Sequence, residues 1–590
     1  MFPLKPPAPA EFQARFPEYP RVVRELLWQR GLRDQAGIDE FFNPDYGADL
    51  HDPFLLSGME EAVSRILAAI QKREPVLVYG DYDADGVCSS ALLVIALRML
   101  GGQVDVYLPH RNAEGYGLSR SRIEQCIAEG VKLIVTVDTG ITFGEEVARA
   151  QAAGVDVIIC DHHLPPAVLP QAFAVVDPKL SGDRYPFKHL AACGVAFKLV
   201  QALSERAKDR VAPGWEKLFL DLVAVATIAD VMPLRGENRT LVRAGLYILA
   251  HTARPGLKAL MAVAGVEPKV LSSGQAVGHI PLTNLDAYTV SHLLAPRLNA
   301  ASRMDHANTS FELLMVEDAE IAAALARKLD EKNRERQTLV EETLRAVELT
   351  IDPLKLPPVI IAGSPDWSPG ILGLVAGRLK DKYSRPAVLF WRGETESRGS
   401  CRSIDAFNIV EAMRGCGDIF IDMGGHPRAA GFTIPTENLV QFERCLTRTA
   451  AASLKPEDFE SFAEAQAELS SREYTWELAD WFSRMEPFGE ANPEPILLMR
   501  GLEVIESRSV GDAARHLKLV LRPSDEPRRL LKAIAFGQGD GVTELRPTGL
   551  GRRMPSAGDR IQVLFRPSVN EWNGNRELEL KIEAYEPETP

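Results

Sequence analysis

The chain has 590 residues, 46% of them hydrophobic and 25% charged, with a formal net charge of −14. Single cores rarely grow past roughly 300 residues, so several domains are expected, and the composition is that of a soluble globular protein rather than a fibrous or unfolded one. No stretch approaches the roughly 18 uninterrupted apolar residues of a membrane helix, and the opening MFPLKPPAPAEFQARFPEYP lacks the charged-then-apolar order of a signal peptide, so a cytoplasmic protein is expected.

From residue 75 a short β-branched run, a loop and a longer amphipathic stretch alternate. Strands are predicted at 75–80, 103–108, 132–137, 155–160 and 173–176, with helices at 87–100, 119–128 and 144–153 between them. That alternation predicts βαβ crossovers and a parallel sheet, an α/β domain. Residues 177–298 read as mostly helical, and 317–349 as one long charged helix without Gly or Pro, suited to connect domains. A second, smaller α/β unit follows, with strands at 358–362 and 387–390 and a helix near 371–380. The last hundred-odd residues are strand-rich, at 517–521, 531–536, 560–566 and 578–582. Short strands with intervening Gly and Pro fit a small β-barrel such as an OB-fold, with a sandwich left open by pattern alone. The seven cysteines (Cys88, Cys126, Cys160, Cys193, Cys401, Cys416 and Cys445) are scattered and never spaced CxxC, and are expected as reduced core residues.

Acidic and histidine motifs stand at the ends of these predicted strands. VLVYGDYDADG places Asp81, Asp83 and Asp85 after the first, KLIVTVDTG ends the third at Asp138, and VDVIICDHH ends the fourth at Asp161, His162 and His163. Ligands gather at the carboxyl ends of parallel strands, so the motifs should meet in one crevice. A lone DxD is commonly a turn or helix cap and a lone HH a surface or core pair; the three motifs together at strand ends argue for a shared site. Asp230, in TIADVMPL after an apolar helical run, is a further carboxylate that could close it. Converging carboxylates repel unless a cation compensates. Asp oxygens with a His nitrogen suit Mn2+ well and Mg2+ acceptably, and no cysteine ligand points to zinc. Two such ions roughly 3.5–4 Å apart support in-line displacement at phosphorus. No GxxxxGK[ST] loop is present, which argues against an NTP-driven motor.

Basic residues in small-residue settings supply candidate phosphate contacts. PHRNAEGYGLS holds Arg111 and Tyr116, APRLNAASR holds Arg297, Asn299 and Arg303, GSCRS holds Ser400 and Arg402, and GGHPRAAGF holds His426 and Arg428. The net charge leaves a nucleic-acid partner open, because residues 501–590 carry fourteen basic against fourteen acidic side chains and the acidic excess lies entirely upstream.

With these motifs the chain resembles, over nearly its full length, the RecJ family of nucleases within the DHH phosphoesterase superfamily. DYDADG, VDTG, DHH and IADVMPL are similar in order and spacing to the first family motifs, and PRLNAASR, GSCRS and GGHPRAAGF to the later ones. The resemblance implies an N-terminal segment (1–55), a parallel-sheet DHH catalytic domain (56–315), a connecting helix (316–350), a DHHA1 domain (351–455) and a nucleic-acid-binding OB-fold (470–590). It implies a single-stranded-DNA-specific 5′-3′ exonuclease of recombination and repair that releases 5′-mononucleotides. Asp83, Asp85, Asp138, His162 and Asp230 would be ligands of two divalent ions, Mn2+ or Mg2+, with Asp138 bridging. His163 would be a polarising or acid group, Asp81 would support the shell, and Arg297, Arg303 and His426 would contact backbone near the metals. Arg111, Ser400 and Arg402 would hold the 5′-terminal phosphate, Tyr116 would stack on a base, and Asn299 would contact substrate. Single-stranded DNA, a single-strand-binding protein and a repair helicase are the implied partners, with a monomeric chain. Departures from the family pattern are Ser368 in place of the usual His and Ser302 and Ala491 where Gly is usual. A catalytically silent relative would have lost metal carboxylates, and here each is present.

Overall fold

The apolar runs of the first domain become a five-stranded sheet because both of its faces are covered. In the computed structural model, which describes residues 2–111, 113–270, 280–352, 355–459, 464–511, 514–539, 554–572 and 575–588, the strands are β1 (Pro75–Tyr79), β2 (Gln103–Tyr107), β3 (Leu133–Val137), β4 (Asp156–Cys160) and β5 (Ala174–Val176). They run parallel in the order β2-β1-β3-β4-β5. Alternate residues bury on opposite faces: Val76 and Val78 enter the larger core, Leu77 and Tyr79 the smaller one. The order reverses between β1 and β3, which makes their carboxyl ends the crevice of this sheet.

Helices flank it. Ala84–Met99 is buried almost all round, as its apolar sequence requires, and packs with Ala192–Arg206 and Leu220–Ala229. It begins three residues before the predicted start because Asp83 caps it, accepting from the amides of Asp85 and Gly86. Gly86 is required there: a Cβ would lie 2.5 Å from the Asp81 carbonyl oxygen.

The chain divides into two units, residues 34–336 with 485–493, and 1–33 with 337–484 and 494–590. The second contains two sheets. One has the order β6-β7-β8-β10-β9, formed by β6 (Ile360–Ser364), β7 (Ala387–Arg392), β8 (Glu396–Arg402), β9 (Asp422–His426) and β10 (Ala429–Pro435); only β6 and β7 are parallel. The other comprises β11 (Ala467–Glu468), β12 (Leu497–Val510), β13 (His516–Pro523), β14 (Leu531–Ala535), β15 (Arg560–Trp572) and β16 (Asn575–Pro587), and the pairing of β12 with β15 closes it into a barrel rather than a sandwich. Residues near the N-terminus join this unit: the amide of Lys5 donates to Ala465 and that of Ala465 to Pro3.

The expectation of seven reduced cysteines is corrected. Five are free and buried, but Cys416 and Cys445 form a disulfide. They are 29 residues apart in sequence, and the contact of helix Ile409–Arg414 with helix Leu439–Ser453 brings their Cα atoms to 5.8 Å, a proximity that spacing rules do not capture.

Candidate metal centre

The acidic motifs meet at the β1/β3 switch. Three sets of donor atoms each lie within 4.8 Å of one another: Asp81, Asp83 and Asp138; Asp85, His162 and Asp230; and Asp138, His162 and His163. Asp83 is both the cap of helix Ala84–Met99 and a member of this group, so the plain reading of a DxD as a cap and the metal reading hold together. Asp85, in the first turn, accepts from the amides of Ala192 and Cys193, both at 2.8 Å, at the start of helix Ala192–Arg206. Asp138 leaves β3 with φ +63, a conformation that costs a non-glycine residue roughly 1–2 kcal/mol and turns its carboxylate into the crevice. Asp230 follows helix Leu220–Ala229, and the Nε2 of His162 is 3.2 Å from Asp138 Oδ1 and 3.7 Å from Asp230 Oδ2.

These groups strain one another electrostatically. Burial, then the charge of Asp83, pushes the Asp85 carboxyl up to about 7 despite the two amides it accepts. Burial and neighbouring carboxylates raise Asp81 and Asp138 well above the usual range and lift Asp230 to about 9. Burial, then His163, holds the His162 imidazole down to about 3, leaving it neutral with a ring lone pair to give. Five carboxyl groups and a neutral imidazole, with no thiol, form a donor set that divalent cations such as Mn2+ and Mg2+ fit, and a cation at the centre relieves the repulsion.

Asp161, part of the predicted motif but given no task there, organises its far side. It is fully buried; its Oδ1 accepts from the amides of His162 (2.8 Å) and His163 (3.2 Å) and lies 2.7 Å from His163 Nδ1, while its Oδ2 accepts from the Ile141 amide at 3.0 Å. Burial alone would raise its carboxyl; the His163 ring and the Ile141 amide reverse this and hold it below the usual range. The same contact overcomes burial to raise His163, whose side chain stays 39% exposed. The signal available in sequence was the leading Asp of DHH, which looks like a ligand and proves to be a brace.

Other predicted contacts separate into groups. The hydroxyl of Tyr116 donates to the Asp138 carbonyl at 3.1 Å, and the ring remains 40% exposed. The Arg111 guanidinium lies 4.8 Å over the ring of Tyr82, which also feels the charge of Arg303. Asn299 accepts from the Ala84 amide at 2.8 Å, so it holds the helix that carries Asp85. Arg297 is committed to Asp330 of the long helix at 2.9 Å; its fork is directed there and not toward the carboxylates. In the other unit, Arg402 on β8 donates to Ser400 Oγ at 3.2 Å, and a Cβ on Gly373 would lie 2.9 Å from both side chains, so helix Pro369–Tyr383 approaches them closely at a glycine. His426 is exposed on the edge strand β9, and Arg428 pairs with Asp405 at 3.0 Å. Among the departures, Ser368 is the N-cap of helix Pro369–Tyr383 without a side-chain cap bond, buried Ser302 donates to the Asn299 carbonyl, and Ala491 takes φ +59, where glycine is unstrained.

Three family descriptions match in chain order: the DHH family N-terminal domain over residues 75–227, the DHHA1 domain over 356–466 and the RecJ OB domain over 465–584. The chain is 37% identical over 564 residues to the single-stranded-DNA-specific exonuclease RecJ of Bacillus subtilis strain 168, covering 95% of this chain and 67% of that one. It is 32% identical over 588 residues to the protein of that name from Escherichia coli K12, covering 96% of each. The chain belongs to the RecJ family. Among solved structures, RecJ from Thermus thermophilus in complex with Mn2+ superposes with a TM-score of 0.80 at 31% identity, covering all of this chain and 79% of that one; the same protein in complex with Mg2+ gives 0.74 at 30%, covering all of this chain and 78% of that one. Among the described residues no helix is long and apolar enough to cross a membrane.

Proposed function

We propose that this RecJ family member is a single-stranded-DNA-specific 5′-3′ exonuclease that hydrolyses phosphodiester bonds to 5′-mononucleotides in recombination and repair. The observation that carries this reading is the meeting of Asp83, Asp85, Asp138, His162 and Asp230 at one sheet crevice, in a chain akin to proteins named for that activity. These five side chains would hold two divalent ions, Mn2+ or Mg2+, with Asp138 shared between them and Asp81 supporting the group. Such ions, when bound, supply a hydroxide at neutral pH and charge compensation for displacement at phosphorus.

The remaining work falls to the chain. Asp85 and Asp83 are held by backbone amides, so their oxygens need little reorganisation on loading. His163, oriented through Nδ1 by Asp161, keeps Nε2 available to carry a proton to the leaving oxygen. Arg303 and His426 neutralise backbone phosphates, and Arg111, Ser400 and Arg402 would recognise the terminal phosphate, which explains polarity because only a free end offers one. Tyr116 offers its exposed ring to a base. Arg297 and Asn299 act by holding their helix and the Ala84 turn. The family likeness also supports work in the cytoplasm as a monomer beside a single-strand-binding protein and a helicase.

The test is product length from a 40-nucleotide single strand in Mn2+, labelled throughout. Release of mononucleotides from the 5′ end is expected; activity confined to dinucleotides would overturn the reading. Arg402→Ala should bring the rates on 5′-phosphorylated and 5′-hydroxyl strands together, and an unchanged ratio would place the end pocket elsewhere.

A further inference from the structure

The carboxyl end of β5 carries a cation to which the metal centre gives no task. β4 and β5 pair through Cys160 and Val176, and the Asp161 amide donates to the Val176 carbonyl at 3.1 Å, so the chain leaving β5 runs beside the DHH turn. Buried Asp177 turns it at once: its Oδ1 accepts from the Lys179 amide at 2.7 Å and its carbonyl from the Leu180 amide at 3.2 Å. Half-buried Lys179 is thereby held at the corner. After burial and the charges within the centre, its ammonium charge acts on the His162 and His163 rings and on the Asp230 carboxyl.

A second cation stands on the same side. Helix Leu220–Ala229 ends at Asp230, and Val231 takes φ +55, a conformation that strains a β-branched residue, while its amide and that of Met232 donate to the Ile228 and Thr227 carbonyls. The chain then reaches exposed Arg235 ahead of helix Gly236–Ala250. The Asn238 side chain donates to the His189 carbonyl at 2.6 Å and to the Pro233 carbonyl at 3.1 Å, and a Cβ on Gly236 would lie 3.1 Å from the Phe187 ring, so the 187–189 loop is packed on this turn. Partial burial, then Lys179 and Arg235, hold the His189 ring below its ordinary value, so both charges reach one ring. Among the described residues no hydrogen-bond or ion-pair partner engages the Lys179 ammonium or the Arg235 guanidinium.

Both groups donate hydrogen bonds and accept none, so an anion is what they can hold. Divalent cations compensate the carboxylates of the centre, which leaves these two side chains to meet the strand, whose charge lies on its phosphates. We propose that Lys179 and Arg235 form a phosphate-binding subsite on the Asp230 side of the metal centre that takes one internal backbone phosphate of the single strand. This rests on the nuclease reading and adds to it a contact apart from those given to Arg111, Arg303, Ser400, Arg402 and His426. Lysine supplies a point charge and arginine a planar fork, a pairing that suits the several oxygens of one phosphate.

Hydrolysis of a 5′-phosphorylated 12-nucleotide dT strand by the Mn2+-loaded full chain at pH 8.0, where His189 is neutral, is followed against salt. In single strands each neutralised phosphate contributes about 0.7 to the slope of log affinity against log salt. The variant Lys179→Gln/Arg235→Gln should raise KM about tenfold, with a smaller change in kcat, and make the slope of log kcat/KM against log salt shallower by about 0.7. Each single variant should raise KM by part of that amount, and Lys179→Arg should stay near the unaltered chain. Lys72→Gln/Lys132→Gln removes as much positive charge at the opposite edge of the sheet, ahead of β1 and β3, and should change neither quantity. An unaltered KM or slope in the Lys179→Gln/Arg235→Gln variant, or an equal change in the Lys72→Gln/Lys132→Gln variant, overturns the subsite. So does a loss confined to kcat with weaker Mn2+ binding by calorimetry, which would make Lys179 a counter-charge of the carboxylates. Each of these leaves the nuclease reading in place, whereas failure of the unaltered chain to hydrolyse the strand overturns both.

Discussion

Asp161→Asn isolates the brace from the ligands. The aspartate Oδ1 faces three donors, the His162 and His163 amides and His163 Nδ1, and its Oδ2 faces a fourth, the Ile141 amide. An asparagine has a single carbonyl oxygen. Its best rotamer keeps that oxygen toward the histidines and turns the NH2 against the Ile141 amide, leaving two donors face to face in a fully buried place. One buried donor without an acceptor costs about 1–3 kcal/mol, and the contact with His163 loses its charge assistance, so a loss of about 2–4 kcal/mol is expected. The His163 ring loses its anchor as well, and a missing second partner of a site histidine typically lowers activity about 10–100-fold. Denaturant unfolding in Mn2+ reads the first quantity and kcat on a single-stranded oligonucleotide the second. A variant within about 0.5 kcal/mol of the unaltered chain, with kcat changed less than twofold, would refute the assignment of Asp161 as the group that orients His163.

Asp138→Ala should abolish hydrolysis while leaving the sheet folded; residual activity above a few per cent in Mn2+ would remove this carboxylate from the metal-holding group. Metal removal should act on stability with a definite sign. Asp85 is raised to about 7 in the folded chain, with Asp81 and Asp138 raised as well, so their contribution is fully present below the unfolded value near 4 and is lost as pH rises through the folded values. The chelated protein should thus melt lower at pH 8 than at pH 5.5, and saturating Mn2+ should raise Tm more at pH 8; equal gains at the two pH values would contradict the mutual repulsion described. Lys198, fully buried, pairs with Glu237 at 2.5 Å and donates to the His51 carbonyl. Lys198→Met leaves the buried Glu237 carboxylate with two neutral donors, the Tyr185 hydroxyl at 2.6 Å and the His51 amide at 3.2 Å, and should cost about 3–5 kcal/mol, while the folded fraction keeps its kcat; a loss below about 1 kcal/mol would show that these donors suffice to hold the charge.

The parallel sheet was legible because buried strands read as unbroken β-branched runs, and each of β1 to β4 begins within about a residue of its prediction. The weaker strands were not. β8, β9 and β10 carry polar and glycine-rich stretches such as ESRGSCR and DMGGH, which resemble loops until an antiparallel partner supplies their hydrogen bonds. β12 escaped notice because register shifts near Val504 and Met499 break the alternation that marks a strand.

The candidate site divides the same way. Residue types and their place after apolar runs sufficed to point to Asp81, Asp83, Asp85, Asp138, Asp161, His162, His163 and Asp230, because the end of a strand or helix is a local property and its chemistry travels with it; singling out ligands among them rested on the family resemblance. What their side chains do was settled by segments far away in sequence: the Ala192 and Cys193 amides on Asp85, Asn299 on the Ala84 turn, Asp330 drawing Arg297 aside, and helix contact joining Cys416 to Cys445. A hydrogen bond or a bridge depends on distance between groups remote along the chain, and only the closed fold specifies that distance.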